Sequence, residues 1–184
     1  MFEFQGVTDP IQQQEFTLAG LTGMPQAPGS NKYLVDGASY TSSTCLPVNT
    51  FSATILDGSS LHGTASNLYL SLPEGWVSNM PALVLHLTQV TVTGSNVGGA
   101  GQITGGVLTG AWSKADFDAQ FQGWKATCAA GGANRPAWCS YLSVAASSTG
   151  MLFNLDLDHD GLKDSAAVCL SFATTPALIV GIKP

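Results

Sequence analysis

The sequence predicts an all-β protein, a single-domain antiparallel barrel or sandwich with one amphipathic helix packed on it. Three observations carry that expectation. Apolar and polar residues alternate with period two in several segments after residue 50, those segments are short and bounded by glycine-rich turns, and a helical apolar spacing appears at about residues 113–124. The chain of 184 residues suits one domain with a real core and would be cramped as two. Hydrophobic residues make up 45% and charged residues 10%, with a mean hydropathy of +0.20, which excludes disorder and coiled coil. A net charge of -6 and a pI near 4.6 repel phosphate backbones and anionic lipid, so nucleic acid is not an expected partner.

Residues 1–50 mix short apolar pieces with Pro10, Pro25, Pro28 and Pro47, which break long regular elements. They are expected to wrap the periphery of a β core formed by residues 51–184. In that core Phe51, Ala53 and Ile55 alternate with Ser52 and Thr54, and Leu68, Leu70 and Leu72 alternate with Tyr69 and Ser71. Both patterns fit half-buried strands. Leu83, Leu85 and Leu87 share one parity, whereas Val90 and Val92 have the other, so burying both sets requires a bulge near Thr88 and Gln89. Residues 94–110 hold seven glycines with Ile103, Val107 and Leu108, the pattern of bent strands and tight turns. Ser113 and Asp116 form a capping pair, and Phe117, Phe121 and Trp124 then recur at i, i+4 and i+7, with Gly123 as the expected stop. Ser140–Ala145, Met151–Leu155, Ser165–Ala173 and Ala177–Ile182 are short, β-prone and separated by turn residues.

The four cysteines, Cys45, Cys128, Cys139 and Cys169, lack the C-x-x-C spacing of a zinc site and are expected to form disulfides. Three pairings are possible. Cys128 with Cys139 is favoured because Gly131, Gly132, Asn134 and Pro136 let the intervening loop turn back, which leaves Cys45 for Cys169. On the chain-entropy model the short closure contributes about 3 kcal/mol and the long one about 5 kcal/mol. Disulfides place the chain outside the reducing cytosol, at an extracellular, cell-surface or periplasmic location, with a signal peptide removed. The apolar runs Pro81–Leu87 and Pro176–Ile182 are too short for a transmembrane helix.

Residues 156–164 read Asp-Leu-Asp-His-Asp-Gly-Leu-Lys-Asp and gather 4 of the 12 acidic residues into nine positions. Carboxylates crowded into one turn repel one another, and calcium, which takes 6–8 oxygen ligands at roughly 2.3–2.6 Å, relieves that repulsion. Asp156, Asp158 and Asp160 are expected to offer side-chain oxygens, Leu162 its carbonyl, and Asp164 direct or water-mediated coordination, while Gly161 allows the sharp turn. Magnesium fits less well because its octahedral shell retains more water. The loop begins like an EF-hand, but Ala167 stands where the bidentate acid belongs, and neither flank has a helical pattern. Met151, Phe153 and Leu155 precede it and Ala166, Val168, Leu170 and Phe172 follow in alternation, giving strand, metal loop, strand.

This segment resembles the calcium hairpins of integrin-type propeller repeats and other secreted bacterial domains, although the loop occurs once here. A wider likeness covers residues 84–182. Ile103 through Ala111 form a G-G-x-L-x-G-A segment, followed by the helix, the D-x-D-x-D-G-x-x-D loop and a P-A-x-I-x-G ending at Pro176, Ala177, Ile179 and Gly181. It looks like a class of uncharacterised secreted or lipid-anchored surface proteins of Gram-negative bacteria. The resemblance implies a surface location and a β domain, and carries no activity with it.

Other candidates weigh less. His62 lies in a loop-like context without a G-x-S-x-G elbow, His86 falls on the wetter parity of its strand, and His159 occupies a variable position of the acidic loop. Asp116 and Asp118 are two apart on a helix and diverge, so they do not form a glycosidase pair. Gly94–Gly101 lacks the Lys-Ser/Thr of a phosphate loop. Trp76 and Trp138, in Pro- and Gly-rich surroundings, are candidate stacking platforms for a glycan or a surface protein. Together these features predict a secreted, calcium-stabilised, noncatalytic surface or binding module. The alternatives are a self-assembling fibre or coat subunit, with homo-oligomer contacts, and a small secreted hydrolase of a glycan or polymer.

Overall fold

The structure, a computed structural model, describes residues 1–5, 15–56, 59–72, 74–75, 80–95, 102–132, 135–142 and 152–183. Among these, ten strands form two sheets with one α-helix, so the expected mostly-β architecture with a single helix is present. The strands are β1 (Phe2–Gln5), β2 (Glu15–Gly20), β3 (Gly23–Pro25), β4 (Lys32–Asp36), β5 (Asn49–Leu56), β6 (Ser60–Leu72), β7 (Leu83–Ser95), β8 (Gly105–Ser113), β9 (Ser165–Phe172) and β10 (Leu178–Lys183), and the helix α1 spans Lys114–Ala130. The larger sheet has the order β1-β2-β5-β6-β7-β8-β9 and the smaller one β10-β4-β3. No helix among the described residues is long and apolar enough to cross a membrane.

The chain forms two compact units. The first comprises Met1–Leu68, Thr88–Gly110 and Cys169–Pro184, the second Tyr69–Leu87 and Ala111–Val168. In the first unit β1, β2, β5 and β6 pair antiparallel, with Phe4 opposite Leu18, Leu18 opposite Phe51, and Ala53 opposite Gly63. Phe51, Ala53 and Ile55 are buried as their alternation requires. The first fifty residues are not a peripheral wrap: Leu18, Ala19 and Val35 are fully buried, and this stretch supplies strands to both sheets. Pro25 ends β3, and Pro28 and Pro47 fall between strands, so they limit strand length without preventing pairing. His62 likewise lies within β6, opposite Thr54, and not in a loop.

The parity conflict in β7 is resolved where expected. Leu85, Leu87, Val90 and Val92 are all buried, and Gln89 between them adopts a left-handed backbone with φ of 51°. β1 and β9 end the order of the larger sheet, and in the first unit the rings of Phe2 and Phe172 meet with centroids 5.1 Å apart.

The second unit is organised by α1. Ser113 caps it by accepting from the Asp116 N–H, and Phe117 and Phe121 bury its apolar stripe against Phe153 and Ala166, with Trp112, Trp124 and Leu142 at the margin. The helix does not stop at Gly123. It continues through Lys125, Ala126, Ala129 and Ala130, good helix formers that outweigh the cost of one glycine, about 1 kcal/mol. The Gln120 side chain bonds both backbone groups of Val84, and the Trp124 Nε1 donates to the Ala82 carbonyl at 3.1 Å, fastening the helix to the start of β7.

Cys128 in the last turn of α1 is bonded to Cys139 with Cα atoms 5.7 Å apart. Gly131 allows that return, since a Cβ there would sit 2.8 Å from the Arg135 Cα. The expected Cys45–Cys169 bond is not formed: both are free thiols on the surface, Cys45 in a turn at φ 54° and Cys169 at an outward position of β9. Ser140 and Tyr141, expected at the start of a strand, end a 3₁₀ turn over Ala137–Tyr141, and residues 143–151 lie outside the described set.

Candidate metal centre

The acidic loop belongs to the second unit and is held at its base by a short bridge. Leu155 pairs with Ser165: the Leu155 N–H donates to the Ser165 carbonyl at 2.8 Å and the Ser165 N–H returns to Leu155 at 3.1 Å. The Asp164 N–H also reaches the Leu155 carbonyl, at 3.0 Å. β9 then leaves the loop as expected, but the entry side is this bridge and not a regular strand. Phe153 there is buried in the aromatic cluster of α1, which anchors the chain just before it turns, and Met151 lies outside the described residues.

Within the loop, backbone N–H groups point at carboxylates. Gly161 donates to Asp156 Oδ2 at 3.0 Å, Leu162 to Asp160 Oδ1 at 2.8 Å, and Asp160 to Asp158 Oδ1 at 3.3 Å. The turn needs two left-handed residues, His159 at φ 60° and Gly161 at φ 91°, and a β-carbon at the second would strain the backbone. The winding brings one carboxylate oxygen each from Asp156, Asp158 and Asp160 within 4.8 Å of one another. Asp158 and Asp160 are exposed, whereas Asp156 is half-buried and its Oδ1 is shielded from solvent with no hydrogen-bond partner among the described residues.

Asp164 is not among the three carboxylates that converge. Asp164 accepts from the Ser165 hydroxyl at 3.2 Å, and its carbonyl accepts from the Lys114 N–H at 2.7 Å, which ties the end of the loop to the first turn of α1. The Leu162 side chain is exposed at the loop tip, and its N–H is engaged by Asp160. Three converging carboxylates, one of which carries a desolvated oxygen without a partner among the described residues, are a donor set for a divalent oxophilic cation.

The candidate stacking platforms fare differently. Trp138 is buried, with 6% of its surface exposed, and its indole N–H donates to Glu74 at 3.2 Å, so it is a packing residue and not a surface platform. Trp76 lies outside the described residues. One cluster escaped the sequence. His86 Nδ1 lies 3.3 Å from Asp116 Oδ2, its ring stacks on Tyr69 at 4.4 Å, and Asp116 also accepts from the Ser113 hydroxyl at 2.7 Å. The parity of His86 and the capping pair were both legible in the sequence, but nothing local says that the two face each other.

No family model, curated protein or solved structure matches the chain.

Proposed function

We propose that this chain is a calcium-stabilised, β-rich binding module of the cell exterior, acting without catalysis, whose ion is held by Asp156, Asp158 and Asp160 and reached by Leu162 and Asp164 from the same loop. The observation that carries this reading is the solvent-shielded Oδ1 of Asp156, without a hydrogen-bond partner among the described residues, on one member of the carboxylate triad. A buried carboxylate oxygen without a donor is costly, and a bound cation removes that cost along with the mutual repulsion of the triad. The ion has a structural lever, because the loop end bonds the first turn of α1 through Asp164 and Lys114.

The Cys128–Cys139 bond supports a location outside the reducing cytosol. The Ser113 hydroxyl, committed to Asp116 and to the helix cap, is in keeping with a binding role. The likeness to secreted or lipid-anchored Gram-negative surface proteins agrees with that location.

The test is a pair of thermal melts, in excess EDTA and in millimolar calcium. Calcium at 100 times its Kd should stabilise by about 2.7 kcal/mol and raise the melting temperature, and Asp156→Asn should abolish the difference. Superimposed melts of the parent protein would overturn the reading.

A further inference from the structure

Among the described residues β1 has one sheet neighbour, β2, and β9 has one, β8. The two edges approach in the first unit, where the rings of Phe2 and Phe172 meet with centroids 5.1 Å apart. A cavity of about 550 Å³ opens along this seam, lined by Met1, Phe2 and Glu3 of one edge and by Phe172 through Ala177 of the other. Side chains of consecutive strand residues alternate between faces, and the Glu3 carboxylate is engaged by Gln5, whose Nε2 donates to it at 3.1 Å. A space lined by consecutive residues therefore runs along the backbone edges and not over one face.

The edge of β1 presents its backbone groups in a fixed order. The Met1 ammonium donates to the Leu21 carbonyl at 2.7 Å, and the Leu21 N–H returns to the Met1 carbonyl at 2.8 Å. Bonded and non-bonded positions alternate in an antiparallel pair. In this register Glu3 and Gln5 bond β2, and the N–H and C=O groups of Phe2 and Phe4 point away from β2, toward the open edge. A row of donors and acceptors repeating every second residue is matched by one kind of partner, an extended chain.

The cavity has the size for it. A strand spacing of about 4.8 Å, a sheet separation near 10 Å and a rise near 3.3 Å give an extended residue roughly 160 Å³, so the space takes about three to four residues, the length of β1. Its walls are preformed. Phe2 packs edge-on against buried Phe51, with centroids 6.1 Å apart, and Phe172 lies so close over Gly106 that a Cβ there would overlap its ring. Thr174 is locked to Ile103 in both directions: the Ile103 N–H donates to its hydroxyl at 2.7 Å, and its own N–H donates to the Ile103 carbonyl at 2.8 Å. Little ordering of these groups is left for the moment of binding.

We propose that this seam receives an extended segment of a partner polypeptide as an added strand, hydrogen-bonded through its backbone to Phe2 and Phe4 and resting alternate apolar side chains on the rings of Phe2 and Phe172. The site is independent of the acidic loop and of the calcium reading.

The test uses the full-length chain and a fluorescein-labelled hexapeptide of alternating valine and threonine, with a second peptide of the same sequence in which every amide nitrogen is methylated. The first should bind saturably at one site and the second at least tenfold more weakly, because it has no N–H to donate. At saturation the first peptide should slow hydrogen exchange of the Phe4 amide at least tenfold and leave that of Gln5, already bonded to β2, within about twofold. Phe2→Pro removes one outward N–H without touching the β1–β2 bonds and should weaken binding several-fold relative to Phe2→Leu, which retains it. If Phe2→Pro loses its melting transition, the two peptides and the exchange measurement on the parent decide. Absence of saturable binding, equal affinity for the two peptides, unchanged exchange at Phe4, or equal affinity of the folded Phe2→Pro and Phe2→Leu variants would each overturn the proposal.

Discussion

At the scale of single residues, desolvation decides most outcomes. The Asp156 oxygen is a metal candidate because it is shielded and has no hydrogen-bond partner among the described residues, and Trp138 is excluded as a platform because it is buried and its N–H is satisfied by Glu74. Tyr40 shows the same effect on a titrating group. Burial first, and the nearby negative charge of Glu3 second, push its phenol above its usual value of 10. A raised folded-state value means that the native state holds the proton more tightly than the unfolded chain does. The contribution of Tyr40 to stability is therefore complete below about pH 10 and is lost as pH rises through the folded-state value. Urea unfolding at pH 9 and pH 11 should show a larger loss for the parent than for Tyr40→Phe. Equal losses would show that the phenol does not contribute.

At the scale of elements, the helix and the bulge were both readable from spacing. The three aromatic residues at i, i+4 and i+7 gave α1 its buried stripe, and the capping pair set its start at Ser113. Its end was not readable, because Gly123 is only a weak breaker and the residues after it favour helix. The cap can be tested directly. Ser113→Ala removes the acceptor of the Asp116 N–H and should cost about 1 kcal/mol, lowering the melting temperature by roughly 2–4 °C, whereas Ser113→Asp should retain most of it. If calcium raises the melting temperature of both variants by the same amount as the parent, the cap and the loop act independently despite the bond between Lys114 and Asp164. In β7, opposite parities of buried residues demanded one extra residue in the strand, and Gln89 supplies it with a left-handed backbone.

At the scale of the whole molecule, the distribution of cysteines separates what is stapled from what is reactive. Cys128 and Cys139 close an eleven-residue separation, which contributes about 3 kcal/mol on the chain-entropy model, while Cys45 and Cys169 are exposed thiols. Titration of the native, unreduced protein with a thiol reagent should therefore label two cysteines, and mass spectrometry should place both labels at Cys45 and Cys169. Zero labels would mean that these two are oxidised, and four that the staple is open.

The sequence by itself determined the β-rich class, the alternating core of β5 and β7, the helix with its cap, the short disulfide and the composition of the acidic loop. Each of these depends on residues close together in the chain, where the period, the spacing and the turn chemistry are sufficient causes. Tertiary structure alone decided that the first fifty residues enter the core, that Cys45 and Cys169 stay apart, that Trp138 faces Glu74, that His86 meets Asp116, and that Phe2 and Phe172 wall a cavity with Glu3. Those contacts join positions tens of residues apart, up to 170 between Phe2 and Phe172. Pairing and packing choose among many partners of equal local merit, so the pattern of any one segment does not contain the answer.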